Sequence, residues 1–261
     1  WIEGFGWDHN LWGGKYPKSN ILNSITNQHP IALTRIDGHS CWVNNVALRM
    51  SGLNIKADPP EGGKIINNCI LIDNAMYPVT QLIPKSDAVT LEKWIRMAFE
   101  IIVKRGITNI HDAWQEPVTI DVIKKLDDKG ELPIRCFGML GSSYSKLLDQ
   151  YFKSGPYKSS RYTIRSVKAF IDGALGSRGA ALLEPYCDDT NSCGLILISS
   201  EQFIDLAERC SKAGFQLCTH AIGDRGNRMV LDVYSEAIQN IKNHRWRIEH
   251  AQMVCDEDIP R

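Results

Sequence analysis

From residue 90 onward the chain alternates between two periodicities, and this alternation constrains its fold more than any other feature. Leu91, Trp94, Ile95, Ala98, Ile101 and Ile102 recur at helical spacing until Gly106, and the strand-like run ITNIHDA follows. Val118, Val122, Ile123 and Leu126 form a second helical face, which Gly130 stops before the run PIRCFGML from Pro133. A third strand pattern, SVKAFIDG at 166–173, opens into a long Gly-rich loop. Ser199 and Gln202 then have the spacing of a capping box for a helix with Phe203, Leu206, Ala207 and Cys210 on its apolar face, closed by Gly214.

The next stretch, FQLCTHAIGD at 215–224, reads as a buried strand that delivers His220 to the rim of a sheet. A helix with Val230, Val233, Ala237, Ile238 and Ile241 leads to RWRIEHAQ, where His250 again ends a strand pattern. Five strand patterns, around 107–113, 133–140, 166–173, 215–222 and 246–251, thus alternate with helices. This predicts an α/β fold, part of a parallel (β/α)8 TIM-like barrel. In such barrels chemistry sits at the carboxyl ends of the strands, where Asp112, Asp172, His220 and His250 fall. A doubly wound open sheet is the competing architecture, but no G-x-G-x-x-G follows a first strand.

The amino-terminal third is less regular. Residues 1–30 are rich in Gly, Trp and Asn, which predicts loops with buried aromatic anchors. PIALTR at 30–35 reads as a strand, residues 36–48 as a turn carrying His39 and then a helix, and CILID at 69–73 as a short strand. Trp7, Trp12 and Trp42 hint at an apolar or aromatic substrate substituent, although buried anchors explain them as well.

Composition narrows the function by exclusion. Lys and Arg total 30 and Asp and Glu total 30, so nothing favours nucleic acid or an anionic membrane. Eight scattered cysteines with no C-x-x-C suit a reducing compartment, cytoplasmic by default. The sequence has no apolar run near the ~18 residues that span a bilayer. It begins at Trp1 without a methionine, which leaves localisation open and suggests a piece of something longer.

Each rim histidine alone reads as a strand-end residue satisfied by hydrogen bonds. As a pair on successive strands, His220 and His250 favour metal ligation or catalysis, because neutral imidazole is the commonest metal ligand. Lys168 lies among apolar residues and, by alternation, points with Phe170 and Asp172 towards the barrel interior. A buried lysine must be paired, deprotonated or modified. The choices are a salt bridge to Asp172 or Asp112, or addition of CO2 to the neutral amine, giving a carbamate that can bridge two divalent ions.

The runs GFGWDHNLW, ALTRIDGHSCWVNNVAL, LIDNAM, GITNIHDA, VKAFIDGALGSRGAALLEPY, THAIGDRGN and RIEHAQ, in this order, resemble the amidohydrolase superfamily. The branch resembled is amidohydrolase family 3, which includes N-substituted formamide deformylase. The resemblance covers nearly the whole chain. It implies a distorted barrel with one or two divalent metals, usually zinc, that activate water to hydrolyse amide-type carbon–nitrogen bonds of small molecules. It makes Lys168 the carboxylated lysine and His220 and His250 metal ligands. His39 becomes a substrate contact, with Asp172, Arg178 and Asp224 orienting substrate or supporting ligands.

The resemblance also implies missing parts. None of the seven histidines stand two apart, so the family's His-x-His is absent, and its aspartate base would lie beyond Arg261. Residues 1–88 are then expected to be the insertion after the first barrel strand, and 89–261 to hold strands two to six. The first strand, the last strands and a terminal β-sandwich would be outside the chain, leaving little activity in these residues alone. Two alternatives remain at this point: a catalytically inactive scaffold or binding protein, and a deaminase of the same superfamily. A homo-oligomer is compatible with either.

Overall fold

The computed structural model describes residues 1–239 and 241–261. Its first sheet contains β1 (Ile2–Trp7), β2 (Ile31–Arg35), β3 (Ser40–Val43), β4 (Gly63–Ile66) and β5 (Ile70–Asp73), in the order β1-β2-β3-β5-β4. β1 and β2 run parallel, and the other neighbours pair antiparallel. Helices α1 (Ser19–Ile25), α2 (Asn45–Ser51) and α3 (Tyr77–Thr80) cover its two faces. Coverage on both sides explains why Ile70, Leu71 and Ile72 are apolar in succession. Leu71 packs with Ala47, Leu48 and Val79, whereas Ile70 and Ile72 pack with Trp7, Leu22 and Trp42.

Here the structure departs from the sequence reading. Residues 1–30 hold β1 and α1 rather than loops alone, and β3 intervenes between the turn at His39 and α2. β1 leaves no periodic trace, because its residues are exposed up to Trp7 and two are glycines. Backbone pairing to β2 holds it in place. All four residues of β3 are buried, so they show no alternation either.

From residue 88 the chain runs α4 (Ala88–Lys104), β6 (Asn109–Gln115), α5 (Pro117–Asp128), β7 (Arg135–Gly141), α6 (Ser145–Ser154), β8 (Tyr157–Lys158), β9 (Tyr162–Phe170), α7 (Ser200–Ala213), β10 (Gln216–Ala221), α8 (Asp224–Ala237) and β11 (Arg247–His250). The second sheet has the order β11-β10-β9-β7-β6, with every neighbour on this path parallel and the two-residue β8 antiparallel on β9. Each new parallel strand is added on the same side, so right-handed crossovers place the helices on one face. A doubly wound sheet reverses direction at a switch point, and this sheet does not. The result is a parallel half barrel.

One core lies between that sheet and its helices. Phe99 of α4, Ile123 and Leu126 of α5, Leu148 and Tyr151 of α6, Phe203 of α7 and Val230 of α8 close over Ile164, Val167, Ala169 and Leu217. The capping box forms as expected: Gln202 N–H donates to Ser199 Oγ, and Ser199 N–H donates to Gln202 Oε1. Three details differ from expectation. Helix α6 carries only two buried residues, too few to mark it in sequence. Helix α8 ends a turn before Ile241. On α4, Leu91, Ile95 and Ile102 pack on the core, while Trp94 and Ile101 stay 54% and 56% exposed.

Two side chains of the first sheet region clamp the loop that follows β9. Tyr16 donates to Ser177 O, and Asn74 Nδ2 donates to Leu197 O. No helix among the described residues is long and apolar enough to cross a membrane. Replacing Phe203, which is fully buried, by alanine should cost about 3–5 kcal/mol through the cavity it leaves. Val89→Ala, at a site 81% exposed, should change stability by less than about 0.5 kcal/mol. Urea denaturation of the two variants checks both values.

Candidate active site

The concave face of the half barrel collects the polar side chains. The β7–β9 register shifts between Gly138 and Met139, leaving Arg165 as the extra residue on β9. Beyond this bulge Val167 and Ala169 face the helices, and Lys168 and Phe170 take the other face. Lys168 is 4% exposed, its Nζ 4.0 Å from the centre of the Phe170 ring and 3.3 Å from Ala169 O. Among the described residues no carboxylate stands within salt-bridge distance of Lys168. Asp112 instead accepts from Gln115 Nε2 at 2.8 Å, and Asp172 is held elsewhere. Burial pushes Lys168 down to about 8, with the charge of Glu249 on β11 pulling the other way.

His220 is buried on β10, its Nε2 3.2 Å from Gly173 O and 3.5 Å from Asp172 Oδ1. Burial, followed by the charge of nearby His39, drives its pKa down to about 3, so the ring stays neutral. His250 reaches the same place by breaking alternation. Ile248 packs towards the helices, and an ideal strand would send His250 after it. Left-handed backbone at His250 (φ 75°) and Ala251 (φ 42°) instead leaves its ring 4.6 Å from that of His220. Burial lowers the pKa of His250 as well, helped by the charge of Lys168.

The other expected residues divide. Asp172 is fully buried and accepts N–H bonds from Ala181, Ile222 and Gly223, at 2.8–2.9 Å. Burial pushes its pKa up to about 6 despite these three donors. It ties the loop after β9 to the loop after β10, and so fixes the start of α8. Arg178 pairs with Asp188 and donates to Gly176 O, and Asp224 accepts from Leu183 N–H and Arg225 N–H. Neither lines the cavity that opens beside His39 and Phe170.

That cavity measures about 740 Å³ and is lined by His39, Asp73, Tyr77, Trp114 and Phe170, among others. His39 does reach it, and its ring lies 4.9 Å from that of His220. Sequence reasoning missed Asp73, which accepts a 2.6 Å hydrogen bond from the His39 ring, and Trp114, held at φ 116° by a bulge at the end of β6. A usable signal for Asp73 was its place at the end of CILID, where β5 pairs with β3 directly beyond His39. Trp7 and Trp42 sit in the core of the first sheet and Trp12 stacks on Trp7, so the aromatic wall of the cavity comes from Trp114, Phe170 and Tyr77 instead.

The donor chemistry at the rim fits a divalent ion. Two adjacent imidazoles are kept neutral, so their lone pairs are free for ligation, and the buried lysine lacks a counter-ion, which favours its uncharged or carboxylated form. No group of three or more His, Cys, Asp or Glu among the described residues could hold an ion. The candidate ligand set is therefore His220, His250 and Lys168.

The parallel half barrel is an architecture shared with solved structures of metal-dependent hydrolases. A crystal structure of an uncharacterized metal-dependent hydrolase from Pyrococcus horikoshii superposes with a TM-score of 0.69 at 26% identity, over 98% of this chain and 50% of that one. The chain belongs to the amidohydrolase family, whose sequence profile (Amidohydro_3) matches residues 1–261. It is 32% identical to Protein LONG AFTER FAR-RED 3 of Arabidopsis thaliana, over 98% of the chain and 47% of that protein. It is 22% identical to N-substituted formamide deformylase of Arthrobacter pascens, over 96% of the chain and 49% of that protein. The chain thus spans about half the length of the curated relatives it matches.

The neutral state of His220 has a measurable cost in acid. An unfolded histidine takes up a proton near 6.5, whereas the folded His220 refuses it down to about 3. The unfolded chain therefore binds the extra proton across that window, and folding stability should fall as pH drops below 6.5, by up to about 1.4 kcal/mol per unit. Denaturation of the chelator-treated chain from pH 7 to pH 5 should show this slope, and His220→Gln should reduce it. An unchanged slope in the variant would mean that the ring is solvated.

Proposed function

We propose that the whole protein hydrolyses amide-type carbon–nitrogen bonds of small N-acyl compounds by metal-activated water. The observation that carries this reading is Lys168, buried without a carboxylate partner beside two neutral imidazoles. His220 and His250 would hold the ion through ring nitrogens, and Lys168, as a carbamate, through oxygen. Zinc suits such ligands best, and when bound it supplies Lewis acidity and a water acidic enough to react near neutral pH.

The remaining roles fall to the chain's own side chains. Asp172 orients His220 from 3.5 Å and holds the two loops that flank it. His39 meets the acyl end of the substrate, and Trp114, Phe170 and Tyr77 shield the reacting bond from bulk water and favour an apolar substituent. The formamide deformylase among the relatives supports an N-acyl substrate, and the family supports the bond class.

The test is metal content and turnover of an N-acyl amine panel by the product of the complete reading frame, beside Lys168→Ala. Wild type should carry divalent metal. The variant should lose it and fall in activity by about 100-fold or more, with part of the loss restored by a short carboxylic acid that replaces the carbamate. A well-folded wild type that binds no metal would favour the non-catalytic scaffold, and turnover confined to amino-substituted heterocycles would favour a deaminase.

A further inference from the structure

Among the described residues, Asp73 is the carboxylate in the cavity wall that binds the ring of a pocket histidine. Its side chain is 1% exposed, and Oδ1 lies 2.6 Å from His39 Nδ1. Strand register brings the two together: β3 and β5 pair antiparallel from Ser40 opposite Ile72, and the ladder continues with Asp73 N–H donating to His39 O. The placement is enforced at a cost. Asp73 has φ 49° and ψ −121°, a conformation that non-glycine residues avoid. Its second oxygen is buried with no hydrogen-bond partner. The loop after β9 is shaped around that oxygen, since a Cβ at Gly173 or at Gly179 would come within 2.3 Å of it.

This arrangement concentrates strain, an unpaired oxygen and two obligate glycines on fixing a single imidazole. With Nδ1 committed to Asp73, Nε2 is the free nitrogen of a ring that lines the cavity and lies 4.9 Å from the ring of His220. The geometry points to His39 Nε2–H as the hydrogen-bond donor to the substrate's carbonyl oxygen, with Asp73 the positioning residue that sets its ring. A pair carrying one proton in the Nδ1–carboxylate bridge and one on Nε2 has no net charge, the form that burial favours. Such a donor, fixed before the reaction, stabilises the negative charge that develops on that oxygen. This role rests on the hydrolase reading and adds to it the group that recognises the acyl carbonyl.

The experiment uses the product of the complete reading frame with Asp73→Asn, His39→Ala and the double variant. The bridging proton should give a resonance far downfield of the amide envelope that disappears in either single variant, a readout independent of turnover. Asp73→Asn should lower kcat about 10–100-fold with KM changed less than about threefold and metal content unchanged. The double variant should be no slower than His39→Ala, because Asp73 acts through the histidine. Should Asp73→Asn fail to fold, His39→Gln carries the test through the same resonance and the same kcat loss.

Additive losses in the double variant, or an unaltered kcat in Asp73→Asn, would overturn the role while leaving the hydrolase reading intact. A wild type that hydrolyses nothing removes that reading and the carbonyl contact with it. In that case the resonance reports only that the pair forms.

Discussion

The arrangement of this site depends on one buried carboxylate. Asp172 accepts three backbone N–H bonds from two separate loops, and a carboxylate so placed cannot be exchanged for an apolar group without stranding all three donors. Gly226 follows from the same contact, because a Cβ there would come within 2.7 Å of Asp172 Oδ2. Through these bonds the loop after β9 and the turn before α8 become a single rigid rim. His220 stands on that rim with its ring set against Asp172 and Gly173.

Charge is managed differently on the two sides of the parallel sheet. The helix side is a continuous apolar layer, whereas the concave side keeps a lysine, two histidines, Arg247 and Glu249 close together. Burial acts on all the basic groups nearest the rim in one direction, suppressing protonation of Lys168, His220 and His250 together. The shift is largest at His220, whose ring stays neutral, and it brings Lys168 down only to about 8. His39 is the exception: burial opposes its charge, but the hydrogen bond and the charge of Asp73 outweigh it and hold the ring above its usual range.

Much of this was legible in the sequence. Five parallel strands fall where the alternating patterns put them, and Lys168 shares a face with Phe170 as its spacing requires. The parts that were not legible have physical reasons. β1 is nearly all exposed and β3 all buried, so neither has a periodicity, and only pairing with neighbours creates them. Arg178 and Asp224 sit in polar motifs near the rim, but ion pairing to Asp188 and bonding to Leu183 N–H take their side chains out of the cavity. Asp73 was hidden for the opposite reason. It stands 34 residues from His39, and only the antiparallel register of two short strands makes them neighbours.

The cavity draws its wall from two sheets with different origins in the chain. His39, Asp73 and Tyr77 come from the mixed sheet and its flank, whereas Trp114 and Phe170 come from the half barrel, with Lys168 and His220 beside Phe170 and His250 beside His220. The His39–Asp73 pair and the Lys168, His220 and His250 cluster therefore stand on separate stretches of sequence. Change within the first 80 residues can thus reshape the part of the cavity around His39 while the strands that carry Lys168, His220 and His250 stay as they are.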